Sequence, residues 1–325
     1  MNKIERRQSS LYISFINALK NNLSILVAFI VLFVVSCIVS PKFFTVSNQL
    51  SVLRQIATNA LCAFAMSFVI LTGGIDLSVG SFMSLAGCMC TVMIAWGGIP
   101  AWLSFILALG IGLVYGAING LIITKLKMPP FIVTLAALNI LRGISYLITG
   151  GRPVIISNEV FQKIGGGFGG PIPLPVFYVA ALFIVFWFIL NRTKYGRRVY
   201  AVGGNLIAAK YSGINTDRVI ILAYIFSGVM ASFAGILLSS RLNSGQPTIG
   251  DGAELDAIAA CVVGGISMTG GAGTLFGTLL GAFIIGIISN ILNLLGINSF
   301  AQLVVKGLII LVAVYIDAIR SDKKR

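Results

Sequence analysis

No histidine occurs among the 325 residues. Ser-His-Asp and Cys-His nucleophile systems and histidine-held metals are thereby removed, which leaves zinc hydrolases and most acid–base enzymes without their working group. Charge is scarce as well: Asp, Glu, Lys and Arg make up 10% of the chain, against about 25% in a soluble domain. With 58% hydrophobic residues and a mean hydropathy of +1.00, neither an ordinary globular protein nor a disordered chain fits. A membrane does.

Other absences narrow the chemistry. The sequence has no Gly-Lys dipeptide and so no Walker A phosphate loop; the chain does not hydrolyse ATP by that route. Gly165, Gly167 and Gly170 formally match G-x-G-x-x-G, but Pro171 and Pro173 stand where the following helix would have to begin, which excludes a dinucleotide site. The five cysteines, Cys37, Cys62, Cys88, Cys90 and Cys261, all lie in apolar runs and read as small packing residues, not disulfides or metal clips.

Charge-free runs divide what remains, since a helical span needs about 20 mostly apolar residues. Leu23 to Ser40, Gln55 to Ile75, two spans within Leu77 to Thr124 broken near Gly97-Gly98-Ile99-Pro100, Met128 to Thr149, Val176 to Leu190 and Val219 to Leu238 come first. Three more fit between Ala257 and Ile316, giving about ten and an all-α polytopic bundle. The eighth, Ala257 to Ile266, is short and is expected to cross packed inside protein. Val34-Val35-Ser36-Cys37 faintly resembles a lipoprotein cleavage box, but the long apolar run reads as an uncleaved first span.

Of the net charge of +14, the distribution matters most. With ten spans and the N-terminus inside, 16 basic residues fall in cytoplasmic segments and 5 outside, as the positive-inside rule requires. The expected layout is a cytoplasmic segment at 1–22, a transmembrane domain at 23–319 with a cytoplasmic loop at 191–218, and a basic cytoplasmic tail at 320–325. Lys3, Arg6, Arg7 and Lys20 charge the first of these, and Arg320, Lys323, Lys324 and Arg325 the last.

Glycine recurs at four-residue spacing in Gly112, Gly116 and Gly120 and again in Gly273, Gly277 and Gly281. Such stripes let helix backbones approach where lipid gives no hydrophobic drive. Thr72-Gly73-Gly74 to Ser81 and Gly264-Gly265 to Gly271 are similar breaks in the two halves, a pattern that can mark a transporter repeat.

Polar residues inside spans are the candidates for a pathway or gate. Asp76, next to Gly73-Gly74, is placed to accept the free amides opening the next helix; Ser78 follows it. No second acid falls in a charge-free run, which argues against proton or sodium coupling. Arg142 interrupts the fifth span and Lys306 lies six residues into the last; Lys306 is expected to snorkel to the headgroups. In the 191–218 loop, Asn205 is placed to cap a short helix of Leu206, Ile207, Ala208 and Ala209 that stops at Ser212-Gly213, preceded by Tyr200, Gly203 and Gly204. Its apolar residues suit docking to a cytoplasmic protein better than lying on headgroups.

Several stretches resemble the membrane permease of ribose-type sugar ABC importers, the group that takes up ribose, xylose, arabinose or galactose. They are Leu71-Thr72-Gly73-Gly74-Ile75-Asp76-Leu77-Ser78-Val79-Gly80-Ser81, Pro130 to Leu135, Leu141-Arg142-Gly143, Thr149 to Pro153, Tyr200 to Asn205 and Glu254 to Gly265, where Cys261 replaces a commoner small residue. The resemblance runs in order from about residue 45 to the C-terminus. It implies a homodimer in a bacterial inner membrane, a cytoplasmic ABC ATPase that binds ATP-Mg in the permease's stead, and a periplasmic sugar-binding protein. It implies further that Tyr200, Gly203, Gly204, Asn205, Ala208, Ser212 and Gly213 form the ATPase-coupling loop. Importers of another small polar solute, such as a furanose-like signalling molecule or branched-chain amino acids, are the nearest alternative. An ion-coupled carrier and a membrane-embedded enzyme both lack the intramembrane groups they would need.

Overall fold

The computed structural model describes residues 22–322. The basic residues expected at 1–20 and 323–325 lie outside them. Among the described residues ten helices form the bundle: α1 (Leu23–Val39), α2 (Val46–Leu71), α3 (Val79–Ala95), α4 (Ala101–Lys125) and α5 (Pro130–Thr149), then α7 (Leu174–Arg192), α10 (Thr216–Leu242), α11 (Ala253–Val263), α12 (Leu275–Leu294) and α13 (Ser299–Asp322). Seven of these are long and apolar enough to cross a membrane, and α1 and α3 are shorter apolar helices of 17 residues each. Three short helices lie between them: α6 (Glu159–Gly166), α8 (Lys194–Gly204) and α9 (Leu206–Tyr211).

The boundaries follow from local chemistry. Pro129 and Pro130 open α5, where a missing N–H costs nothing, and Gly150 closes it in the left-handed region at φ 62°. Asn215 caps α10 by accepting the Arg218 amide, and Asn243 ends that helix at φ 51°. Helix α2 starts at Val46, well before the Gln55 expected from the charge-free run, because Arg54 is accommodated inside the helix with its guanidinium over the Phe168 ring at 4.3 Å. Arg54 therefore belongs to a helix and not to an outer loop, and Arg241 likewise closes the last turn of α10.

Helix α2 is the most enclosed of the long helices, followed by α12 and α10, while α13 is buried on little of its surface. The first glycine stripe is the α4–α10 seam. A methyl group on Gly112 would meet the Gly228 carbonyl at 2.7 Å, and one on Gly116 the Tyr224 carbonyl at 2.3 Å; Gly120 faces Ile221 in the same way. In the second stripe Gly277 and Gly281 pack α12 on the Gly264 and Ala260 carbonyls of α11. Gly273, expected on the same helix face, precedes α12, in a turn at φ +134° against Ile266.

Two of the crossings are broken. After α2 the chain turns at Thr72 to Gly74 and returns into the bundle as an extended segment before α3 begins. After α10 it pairs β4 (Ser244–Gly245) with β1 (Val154–Ile155) and re-enters through the turns at 247–252 before α11 begins. The second hairpin pairs β2 (Phe168–Gly169) with β3 (Ile172–Pro173). At about 1.5 Å per residue, the 11 residues of α11 are too few to cross alone, and the turns at 247–252 lead into it. The counterpart of the 72–78 break is thus 243–252, at the opposite end of the bundle. The Gly264 to Gly271 break does not mirror it; it touches it, the Gly271 amide donating to the Leu71 carbonyl at 3.0 Å.

Candidate functional site

At the end of the bundle carrying α8 and α9, the chain folds as the sequence anticipates. Thr193 caps α8 by accepting the Gly196 amide at 3.2 Å, and Asn205 caps α9 by accepting the Ala208 amide at 2.9 Å. Ser212 and Gly213 then stop α9: their amides bond back to the Ala208 and Lys210 carbonyls, with Gly213 at φ +78°. Val199, Val202 and Ala209 anchor this pair of helices, whereas Leu206, Ile207 and Tyr211 are exposed.

The two glycines ahead of α9, Gly203 and Gly204, have different surroundings. A methyl group on Gly203 would sit 1.8 Å from the Leu71 carbonyl and 2.5 Å from the Gly271 amide. Only a residue without a side chain lets α8 seat against both breaks. Gly204 faces open space. Tyr200 adds a second tie, its hydroxyl donating to the Gly273 carbonyl at 3.0 Å. Burial raises the Tyr200 phenol above its ordinary pKa, so it remains a donor at neutral pH.

The break that Gly203 touches carries Asp76. Its Oδ1 accepts the Ser78 amide at 3.0 Å and, in a short bond, the Ser78 hydroxyl. Its Oδ2 accepts the Ser227 hydroxyl from the middle of α10 at 2.6 Å. Ser78 in turn accepts a short bond from the Tyr115 hydroxyl of α4, and Asn119 donates to that tyrosine at 2.7 Å. Asp76 thus secures the amide that opens α3, as expected of a cap, and also cross-links three elements. Tyr224 and Thr134 both donate to the Ile75 carbonyl, at 3.3 Å and 3.2 Å, which ties the break to α10 and α5. A cavity of about 670 Å³ lies beside it, lined among others by Gly73, Gly74, Lys127, Gly204 and Asp217.

Toward the other end Arg142 holds the second break. Its Nη1 donates to the Pro247 carbonyl at 2.6 Å and the Ile249 carbonyl at 2.9 Å, and Nη2 lies 4.0 Å from Asp251. Arg142 does not reach back to headgroups.

With this geometry in hand, comparison with known proteins is decisive. A family model described as "Branched-chain amino acid transport system / permease component" matches residues 48–314. The chain belongs to this permease family. The ribose import permease of Bacillus subtilis (strain 168) is 47% identical over 295 residues, covering 90% of this chain and 91% of that protein. The ribose import permease of Escherichia coli (strain K12) is 42% identical over 296 residues, covering 90% and 92%. The L-arabinose transport system permease of the same strain is 38% identical over 300 residues, covering 92% and 91%. No solved structure gives a significant match.

The structure of the permease corrects two further expectations and adds residues that composition could not reveal. Lys306 does not snorkel: its Nζ pairs with Asp256 at 2.8 Å, both side chains mostly buried. Intramembrane acids other than Asp76 therefore exist, because α11 begins at Ala253 and carries Glu254 and Asp256 into the bundle. Glu254 is buried against Gly80, whose missing side chain leaves room for the carboxylate. A carboxylate run just ahead of an apolar segment, Glu254-Leu255-Asp256, was the available signal. Tyr115, Asn119 and Ser227 carried none, since polar residues scattered singly in apolar runs look like tolerated packing. Gly165 sits in α6 and donates its amide to Ser240 at 2.7 Å, a helix contact and no nucleotide loop. Among the described residues all five cysteines are free, and no group of three or more Cys, Asp or Glu is placed to hold a metal.

Proposed function

We propose that this permease is the membrane subunit of an ATP-driven importer that brings a monosaccharide, a ribose-like pentose or a hexose, into a bacterial cytoplasm across the inner membrane. The observation that carries the reading is the seating of α8 on the 71–74 and 264–273 segments through Gly203. In this reading 1–22, the 191–218 loop and the 320–325 tail face the cytoplasm, consistent with the 16 to 5 distribution of basic residues. A cytoplasmic ATPase binds ATP-Mg and docks on the exposed Leu206, Ile207 and Tyr211. Two copies of the permease enclose the pathway, and a periplasmic binding protein delivers the sugar.

The geometry supplies a route for the stroke. Force on α9 passes through the capped Asn205 junction into α8, and from Gly203 and Tyr200 into the 72–78 and 264–274 segments. Asp76 carries it on to α10 through Ser227 and, by way of Ser78 and Tyr115, to α4. Helix interfaces close-packed on glycine transmit displacement instead of absorbing it. The permease contributes no ATPase site of its own, in keeping with the missing phosphate loop.

The ribose and arabinose permeases among the relatives favour a sugar, while the family description keeps a branched-chain amino acid as the competing solute. Cells expressing the permease with its neighbouring ATPase and binding protein, and lacking their own ribose, arabinose and leucine importers, separate the two. Accumulation of labelled D-ribose or L-arabinose without leucine is expected; accumulation of leucine alone would overturn the sugar reading.

A further inference from the structure

Outward-facing positions on the helices of a single copy are apolar almost throughout: α4 presents Ile106 and Leu113, and α7 presents Ile184 and Phe188. Helix α5 departs from this. At its midpoint it exposes Asn139, followed on the same stripe by Arg142, Gly143 and Tyr146 at helical spacing. Asn139 Nδ2 donates to the Leu135 carbonyl of its own helix at 3.1 Å, and among the described residues its Oδ1 has no partner. Gly143 opens on empty space.

The re-entrant segment after α10 adds to this face. Gly245 lies against Cys88 and Thr91 and Gly250 against Gly80 and Met83, so along α3 the segment descends roughly 8–16 Å into the bundle at about 1.5 Å per residue. Thr248 and Asp251 point outward from it, the Asp251 side chain 90% exposed. An amide and a carboxylate at that depth are not stable against hydrocarbon, where unsatisfied polar groups cost several kcal/mol each. This face meets water.

Its chemistry specifies a solute. Arg142 and Asp251 cancel in charge, and the arginine's Nη1 is already committed to two carbonyls, which disfavours an ionic cargo. What remains is an amide oxygen and a carboxylate to accept hydroxyl protons, and the Tyr146 ring as a flat apolar surface. We infer that Asn139, Tyr146 and Asp251, steadied by Arg142, form a recognition strip for a neutral polyhydroxylated solute along the translocation pathway. The inference rests on the importer reading and adds the residues that meet the sugar.

The test uses the complete importer in proteoliposomes with D-ribose. Asn139→Cys is expected to react with a charged thiol reagent more than about tenfold faster than Leu113→Cys on the lipid-facing side of α4, because thiolate chemistry needs water. Asn139→Leu and Asp251→Asn are each expected to lower ribose uptake about fivefold or more, chiefly through KM, while ATPase stimulation by loaded binding protein stays within about twofold. Equal reactivity of the two cysteines, or wild-type uptake by Asn139→Leu, would overturn the strip. A wild-type complex that imports no sugar would instead overturn the importer reading, and the thiol comparison would still report whether this face is wet.

Discussion

Ser227, in the middle of α10, donates its hydroxyl to Asp76 at 2.6 Å, tying the first helix break to the central helix of the second half. Because Asp76 is only 1% exposed, its replacement tests whether the bond holds the break. Asp76→Asn keeps an oxygen for the Ser78 amide and presents an NH₂ that the Ser227 hydroxyl can accept, so this variant should fold. Asp76→Ala strands the Ser78 and Ser227 groups, at about 1–3 kcal/mol for each unsatisfied buried partner. Thermal unfolding in detergent should show the alanine variant several degrees below both wild type and Asp76→Asn.

Gly203 and Gly204 allow folding to be separated from coupling. Gly203→Ala drives a methyl group into the Leu71 carbonyl, and folded yield after size-exclusion chromatography should drop sharply. Gly204→Trp projects into open space; it should fold normally yet leave ATP hydrolysis running without uptake in the assembled importer. Normal uptake by Gly204→Trp would remove the coupling role from this loop.

How far the sequence reveals this structure depends on whether a feature is local. The apolar runs identify the helix interiors, and the Asn205 cap with the Ser212-Gly213 stop is readable because both signals lie within a few residues of the helix they bound. The Gly112 stripe is legible for the same reason, since its spacing is the helix period. Gly273 shows the limit: the same spacing runs on past a helix end that only the close approach to Ile266 defines. The starts of α2 and α11 are hidden because their charges meet partners distant in sequence, Arg54 the face of the Phe168 ring and Asp256 the Lys306 ammonium. Ser227, 151 residues from Asp76, is a serine like any other until the fold is known.

The Lys306–Asp256 pair, 2.8 Å long and mostly buried, should behave as a unit. Lys306→Met leaves a lone carboxylate and should cost about 3–5 kcal/mol, whereas the double variant Lys306→Met, Asp256→Leu should recover much of that loss. Comparing the unfolding midpoints of the two variants in one detergent checks the coupling.

Arg142 offers a graded comparison. Since a single nitrogen, Nη1, serves both the Pro247 and Ile249 carbonyls, a lysine ammonium can copy part of the clasp. Arg142→Lys should retain a measurable fraction of uptake, and Arg142→Ala should lose about tenfold or more by leaving the Ile249 carbonyl unpaired and the Pro247 carbonyl to Ser84 alone. Uptake at matched membrane abundance reads the order directly.

The most direct measurement is labelled D-ribose uptake by proteoliposomes holding the permease with its ATPase partner and loaded binding protein, energised either by ATP-Mg or by imposed sodium and proton gradients. Uptake that requires ATP-Mg and the ATPase, and that neither gradient supports, is the expected result. Uptake by the permease alone, driven by a gradient, would contradict the importer mechanism.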